Sequence, residues 1–207
     1  MINEIKAGLI YNADGAVSTA RSGKTGETIT ADAHGKYAET VLRGNAYFLS
    51  IASGAPTAYV GAAGGSPLLA VHNPTGSNKN LVLLAASGLV RVTASGAGTT
   101  DLCLWAGASV QPTGTQTPPK SLLTYASGGV GLGFSNTALT ASTALNLILS
   151  LNGYYWATAA GAYADQGWID IGGLVVLAPG MEAAIGATVV PTSTTWDASL
   201  IWEEIPI

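Results

Sequence analysis

The sequence predicts an all-β protein, an antiparallel two-sheet β-sandwich with an extended N-terminal arm. Short runs of apolar, β-branched and aromatic residues recur along the chain, separated by clusters of Gly, Pro, Asn and Ser. Few segments show the 3.6-residue period of a helix. The 207 residues are enough for one large sandwich that needs no disulfide, and the single cysteine cannot form one within the chain.

The arm is predicted at residues 1–43. This segment holds five of the eight basic residues and five of the twelve acidic ones, while large apolar residues are sparse between positions 15 and 35. Such a segment cannot bury much surface by itself, so we expect it to lie on a neighbouring surface or to form a loose loop. Residues 37–43 are expected to form a short helical turn or strand that leads into the sandwich at 44–207.

The strands of the sandwich follow from the apolar runs and the turn residues between them. We predict strands at 45–52, 57–61, 67–72, 80–94, 99–106, 121–126, 168–171, 173–177, 181–190 and 196–205, with a hairpin inside 144–157. Gly88 within the long run 80–94 predicts a bulge or bend. Asn152-Gly153 is the preferred two-residue hairpin turn. The Gly-rich stretch 128–142 is expected to be a flexible or tightly turned surface segment.

The last predicted strand, 196–205, does not reveal its buried face. Side chains alternate between the two faces of a strand, so Ala198, Leu200, Trp202 and Glu204 share one face. The opposite face carries Asp197, Ser199, Ile201, Glu203 and Ile205. Each face contains both apolar and charged residues, so alternation alone leaves both orientations open.

Charged residues form only 10% of the chain, against about a quarter in an average protein. We interpret this as a surface largely covered by copies of the chain or by another protein, which favours an assembly subunit. The alternative is a neutral, Thr/Ser-rich extracellular surface. The net charge of −4 gives no general attraction to nucleic acid or anionic lipid. Neither a signal peptide nor an apolar run long enough to span a membrane is recognisable.

No catalytic, metal-binding or cofactor-binding group is predicted. His34 and His72 have no Cys, Asp or Glu at metal-ligand spacing. Glu203 and Glu204 are neighbours on a strand, so they point to opposite faces and cannot flank one substrate bond. Cys103 lies in an apolar run and is expected to be a small buried residue.

An aromatic cluster in the second half of the chain is the best candidate for a sugar-binding surface, because aromatic rings stack on pyranose faces. Asp165 and Asp170 lie beside it in the sequence. The alternative is that these rings belong to the sandwich core or to a subunit contact. The residues are Tyr154, Tyr155, Trp156, Tyr163 and Trp168.

Several short motifs together resemble a known class of proteins. They are GKYAE at 35–39, RG at 43–44, HNPTGS at 72–77, LVLL at 81–84, PG at 179–180 and SLIWEE at 199–204. The pattern resembles the jelly-roll structural proteins of tailed bacteriophages, which include capsid decoration (cement) proteins and head fibres.

The resemblance implies a jelly-roll-like fold and a non-enzymatic virion protein, most simply a decoration subunit that binds and stabilises the assembled capsid. Its implied partners are copies of itself, often as trimers, and the major capsid protein. We expect the arm to contact the capsid. The candidate contact residues are Arg21, Lys24, Lys36, Tyr37 and Arg43. The alternative is a receptor- or carbohydrate-binding module of a phage fibre or tail.

Overall fold

The computed structural model describes residues 36–54, 67–92, 98–135, 145–156, 167–189 and 195–207. The chain divides between residues 39 and 40 into two units, and the sandwich lies in the second, residues 40–207. The predicted arm lies mostly outside the described residues, so the expected boundary after residue 43 stays a prediction. Within the described ranges, no helix is long and apolar enough to span a membrane.

The described elements are one short helix and eleven strands. In chain order they are α1 (Ala38–Leu42), β1 (Ala46–Gly54), β2 (Leu69–Asn73), β3 (Lys79–Val92), β4 (Gly98–Ala108), β5 (Lys120–Ser121), β6 (Leu132–Ser135), β7 (Asn146–Trp156), β8 (Gly167–Asp170), β9 (Val176–Leu177), β10 (Met181–Ala187) and β11 (Thr195–Pro206).

The strands form two antiparallel sheets. Sheet 1 has the order β5-β1-β11-β3-β8, with β9 also paired to β3, and sheet 2 has the order β6-β2-β10-β4-β7. The predicted all-β, two-sheet sandwich is therefore confirmed. The helical turn was one of the two forms expected near residue 40, and α1 occupies that place.

Eight of the strands follow the jelly-roll arrangement. The first pairs with the last (β1 with β11), the second with the seventh (β2 with β10), the third with the sixth (β3 with β8) and the fourth with the fifth (β4 with β7). This is one long hairpin whose successive strand pairs lie alternately in sheet 1 and sheet 2. Rolling the hairpin brings β11 against β3 and β10 against β4, which completes each sheet.

The core between the two sheets shows which face of β11 is buried. Trp196, Ala198, Leu200, Trp202 and Glu204 are buried, while the residues between them are half-buried or exposed. Trp196 and Trp202 are fully buried and are the two largest side chains in the core. Full burial of an aromatic side chain removes roughly 150–250 Å² from water, so β11 carries much of the apolar packing in sheet 1.

Strands β2 and β10 and the middle of β4 in sheet 2 are buried on both faces, whereas the described part of the edge strand β7 is largely exposed. Leu69 and Val71 of β2 point into the main core, so Ala70 and His72, which alternate with them, point away from sheet 1. A second apolar cluster lies on this outward face, and its members are Ala70, Cys103, Trp105, Phe134, Leu145 and Ala184. No pattern in the sequence predicted strands that are buried on both sides. In the described part of the sandwich, the outer face of sheet 1 is the more exposed one, although Ala46 and Ala85 on it are buried.

Gly88 does not form the predicted bulge. It pairs in register with Ala198 on one side and Gly167 on the other. A Cβ atom at this position would overlap the Leu102 side chain, which comes from the opposing sheet. Gly88 therefore permits close approach of the two sheets. The register shifts of β3 occur elsewhere, where β11 passes from Ile201 to Trp202 and from Thr195 to Trp196.

The predicted hairpin within 144–157 is also wrong. Asn152 and Gly153 are paired with Leu102 and Asp101, and β7 continues through them as one strand. The long partner β4 supplies cross-strand pairing over this whole stretch, which overrides the local turn preference of Asn-Gly. The Gly-rich stretch 128–142 contains an unpredicted strand, β6, in its described part.

Candidate binding surface

The outer face of sheet 1 is organised in rows that cross its strands. One row runs from Ser50 through Ser199 and Ser87 to Trp168. The next row contains Phe48, Ile201, Ala85 and Asp170. The third contains Ala46, Glu203, Val82 and Val176. We call this set the sheet 1 outer face. Side chains directly opposite on neighbouring antiparallel strands lie about 5 Å apart, so each row is continuous.

One flank of this face is built by a capped turn after β5. The Ser121 hydroxyl accepts hydrogen bonds from Leu123 N at 3.2 Å and Thr124 N at 3.4 Å. Tyr125 N donates to Ser121 O at 2.9 Å, and Tyr125 adopts a left-handed φ of 58°. The turn holds Leu123 outward and leaves Tyr125 69% exposed. The Tyr125 ring packs edge-on against Phe48, with centroids 6.4 Å apart. Leu123 and Tyr125 therefore form an exposed apolar projection at the border of the sheet 1 outer face.

The opposite flank is built by the chain between β8 and β9. Ile171 N and Gly172 N both donate to Leu84 O, at 2.8 and 2.9 Å, and fasten this segment along β3. Gly172 and Gly173 have φ values of 59° and 85°, which glycine adopts without strain. The resulting turn presents Leu174 to solvent, close in sequence to the exposed Val176. This flank is again apolar.

A shallow depression of about 140 Å³ lies at the end of the serine row. It is lined by Ser87, Gly88, Leu89, Asp197 and Ala198. Trp168 pairs with Ser87 across the strands and is 56% exposed, so it lies next to one of the residues that line the depression. The arrangement combines an aromatic surface with a hydroxyl and a carboxylate. Such a combination can stack on a sugar ring and hydrogen-bond its hydroxyl groups.

The charges on the sheet 1 outer face are mainly negative. Asp170, Asp197 and Glu203 lie on this face among the described side chains, and Lys120 pairs opposite Phe48 at its edge. The centre of the face, formed by Ile201, Ser199, Ala85 and Ser87, carries no charge. The charge distribution suits a partner surface that is apolar in the middle and basic around it.

Glu204 lies inside the fold and links three segments. Its Oε2 accepts a hydrogen bond from Lys79 Nζ at 3.0 Å, and its Oε1 accepts bonds from Val130 N at 2.7 Å and Gly131 N at 3.2 Å. The segment before β6 is thereby fixed to β11. Gly129 has a φ of 89°, and a Cβ there would crowd the carboxylate. Glu203 is half-buried and lies on the opposite face of β11, as the alternation along the strand predicts.

Two other buried polar residues lie at the end of β2. Asn73 donates from Nδ2 to Lys79 O and Leu177 O, each at 2.8 Å, and so ties β3 to β9. His72 lies opposite Glu182 on the outward face of sheet 2, and both are fully buried. Neither ring nitrogen of His72 has a hydrogen-bond partner in the part of the chain that is described. Burial lowers the pKa of His72 because the charged imidazolium is poorly solvated there.

Cys103 lies on the same outward face of sheet 2 and is buried, as expected. Burial raises the pKa of its thiol, the charge of Asp101 adds to this, and a contact with the Ser150 hydroxyl at 3.9 Å lowers it. A thiol with a raised pKa is a poor nucleophile. Across the described ranges, no three His, Cys, Asp or Glu side chains are grouped to bind a metal ion.

The structure describes only three of the five predicted arm contacts, Lys36, Tyr37 and Arg43. Arg21 and Lys24 lie outside the described residues. Lys36 is exposed, and its Nζ lies 5.0 Å from the centroid of the Tyr37 ring. Arg43 is exposed in the turn after α1. Their role as capsid contacts stays a prediction.

The predicted aromatic cluster is divided between the two sheets. Tyr154, Tyr155 and Trp156 belong to β7 of sheet 2, and Trp168 belongs to β8 of sheet 1. The side chains of 154–156 and all of Tyr163 lie outside the described part. The structure pairs Trp168 with Ser87, which lines the depression together with Asp197, and it adds Phe48, Leu123, Tyr125 and Leu174 as further apolar groups at the face. Leu123 and Tyr125 lie in the uncharged run 121–128, the one feature of the sequence that could have indicated an apolar surface there.

Comparison with known proteins does not assign the chain. No protein family, no curated protein and no solved structure matches it.

Proposed function

We propose that the protein is a non-enzymatic structural subunit of a virion that binds the assembled capsid through the sheet 1 outer face and stabilises the shell. The observation that carries this proposal is the composition of that face. Its central side chains carry no charge, and exposed apolar groups lie at both flanks, around Tyr125 and around Trp168. Depletion of charged residues at the centre, with exposed apolar groups nearby, is typical of protein-binding surfaces.

Two buried polar side chains form hydrogen bonds within the fold, which supports a function in binding and not in catalysis. Glu204 and Asn73 direct their side chains to backbone groups and to Lys79, so they stabilise the sandwich. The low charge of the whole chain agrees with a surface that is covered in an assembly. A decoration subunit that binds the assembled shell and not free coat protein stabilises the shell by mass action.

The experiment measures occupancy on particles of the virus that encodes the chain, prepared without it. Purified protein is added back, particles are sedimented, and bound subunits are counted. Ile201→Lys places an ammonium in the centre of the face and should reduce affinity at least tenfold, because the buried charge has no partner. Val110→Lys is the matched control, since Val110 is exposed beyond the end of β4 and outside this face.

Deletion of residues 1–43 tests the contribution of the arm to capsid binding separately from that of the sheet 1 outer face. Loss of occupancy in that variant, with Ile201→Lys unaffected, would assign the anchor to the arm. Absence of binding to any particle by the unaltered protein would exclude the decoration role.

A second candidate function is carbohydrate binding at Trp168, and the depression that its cross-strand partner Ser87 lines favours it. The site would hold one saccharide ring against the indole while Ser87 and Asp197 contact its hydroxyl groups. A glycan array with the unaltered protein identifies the ligand. Trp168→Ala should abolish the array signal and leave thermal stability within about 1 kcal/mol, because the residue is more than half exposed. An array without any hit excludes this function.

A further inference from the structure

Among the strands that the structure describes, β7 lies at one edge of sheet 2. β4 pairs along one side of β7, and none of the strands that the structure describes pairs along the other. The opposite edge of sheet 2 differs. There Gln116 forms a bridge to Phe134, and Thr117 N donates to Gly133 O at 2.8 Å, so β6 is partly covered.

The open side of β7 displays apolar side chains. Leu147 is 54% exposed and Ile148 is 41% exposed, with exposed Asn146 before them. Two successive apolar residues are exposed because the ladder is irregular at this point. Trp105 pairs with Leu147 and Leu104 pairs with Leu149, so Ile148 is an extra residue.

The stretch around β7 contains no charged residue. Residues 121–164 have no Asp, Glu, Lys, Arg or His. Natural proteins usually protect an edge strand with charges, proline or a bulge, because an unprotected edge is a template for pairing with another chain. β7 has bulges, but the residue that the bulge turns outward is Ile148. Two copies can therefore approach along this edge without like-charge repulsion between their β7 strands.

We propose that a second copy of the chain binds here, with β7 of each copy pairing antiparallel about a two-fold axis near Ile148. In this register Ile148 faces its own copy, Leu147 faces Leu149, and Asn146 faces Ser150. Such an interface is self-complementary, since each contact occurs twice. The proposal deepens the proposed function, because it supplies the self-association expected of an assembly subunit, but it uses a different surface from the sheet 1 outer face.

The size of the contact sets its expected strength. Five paired residues span roughly 17 Å of strand, and the area they cover is below the roughly 800 Å² per partner of a standard interface. A dimer of this kind should be reversible in solution, with a dissociation constant of about 1–100 µM.

The test is sedimentation equilibrium of the purified full-length chain from low micromolar to about 200 µM, a range that spans the expected affinity. Ile148→Lys and Ile148→Glu each place two like charges opposite one another at the axis. Either variant alone should be at least tenfold weaker in self-association. An equimolar mixture of the two should recover dimers, because an ammonium of one copy then faces a carboxylate of the other. Val110→Lys is again the control and should associate like the unaltered chain.

Hydrogen exchange gives a second readout that does not depend on any substitution. Amides of residues 146–150 should exchange more slowly as protein concentration rises, while those of β11 should not change. A chain that remains monomeric up to about 200 µM overturns the proposal. Oligomers that persist in Ile148→Lys, or fail to reappear in the mixture, also overturn it. None of these results affects capsid docking, which is measured with the sheet 1 variants.

Discussion

The Glu204 carboxylate lies 3.0 Å from the Lys79 ammonium, and this pair joins the C-terminal end of β11 to the start of β3. The side chain of Glu204 is fully buried, while that of Lys79 is 31% exposed. The other carboxylate oxygen holds the backbone of 130–131. One side chain therefore fixes its own strand, the strand beside it and the loop that leads into β6.

Removing this carboxylate should destabilise the protein strongly. Glu204→Ala leaves two backbone amides and an ammonium without their acceptor, at an expected cost of about 3 kcal/mol. Glu204→Gln keeps an acceptor for the amides and should cost less. The measurement is urea unfolding at pH 7. Glu203→Gln is the adjacent control and should change stability by less than about 0.5 kcal/mol, because it lies on the open face. Equal effects at 203 and 204 would contradict the role assigned to the buried carboxylate.

Gly88→Ala should also be destabilising, by about 1–3 kcal/mol, because the new methyl group overlaps Leu102 in a packed core. The cost should fall by at least about 1 kcal/mol in a Leu102→Ala background, where the space is open. Urea unfolding of the four proteins gives this double-mutant cycle. Gly76→Ala is the control, since nothing lies within 4 Å of a Cβ at that position. A cost at Gly88 that is unchanged by Leu102→Ala would point to backbone strain instead.

Stability should depend on pH through His72. Burial lowers its pKa in the folded protein below the unfolded value, so the unfolded chain binds more protons as pH falls through about 6.5. The folded state is therefore fully favoured above that pH and loses stability below it. The limiting slope is about 1.4 kcal/mol per pH unit. His72→Gln should flatten the unfolding free energy between pH 7 and 5. A profile identical in both proteins would show that His72 does not titrate as described.

Cys103 should be protected from thiol reagents. Its thiol is buried and its pKa is raised, so little thiolate is present or accessible at pH 7.5. Labelling with a chromogenic disulfide reagent should be at least about a hundredfold slower in buffer than in guanidinium chloride, reflecting the free energy of local opening. Rapid labelling of the native protein would mean that the outward face of sheet 2 opens readily.

The fold class was predictable because it depends on local patterns. Apolar runs and turn residues mark most of the strands, and the period of two along 196–205 correctly separates the face of Trp202 from that of Ile201. Which face is buried depends on the opposing sheet, and that information is not local. Gly88 shows the same limit, since only the position of Leu102 across the sandwich reveals why glycine is needed.

The candidate surface was predictable only in part for the same reason. Trp168 was selected because aromatic residues cluster near it in the sequence. Its cross-strand partner Ser87 comes from β3, and Asp197, which lines the same depression as Ser87, comes from β11; both are far away along the chain. Residues 154–156 are close to Trp168 in sequence but belong to the other sheet. Sequence proximity therefore identified one member of the surface and missed the partners that strand pairing supplies.

The central place of β11 in sheet 1 affects how the protein is made. β11 is synthesised after all the other described strands, yet it lies between β1 and β3 and pairs with both. Until β11 has left the ribosome, β1 and β3 each lack the strand that pairs between them. The core also lacks Trp196 and Trp202, so the apolar residues that pack against them stay exposed. Folding dominated by such distant pairings is slow. A chain truncated before residue 195 should consequently be captured by chaperones or precipitate, instead of forming a smaller sandwich.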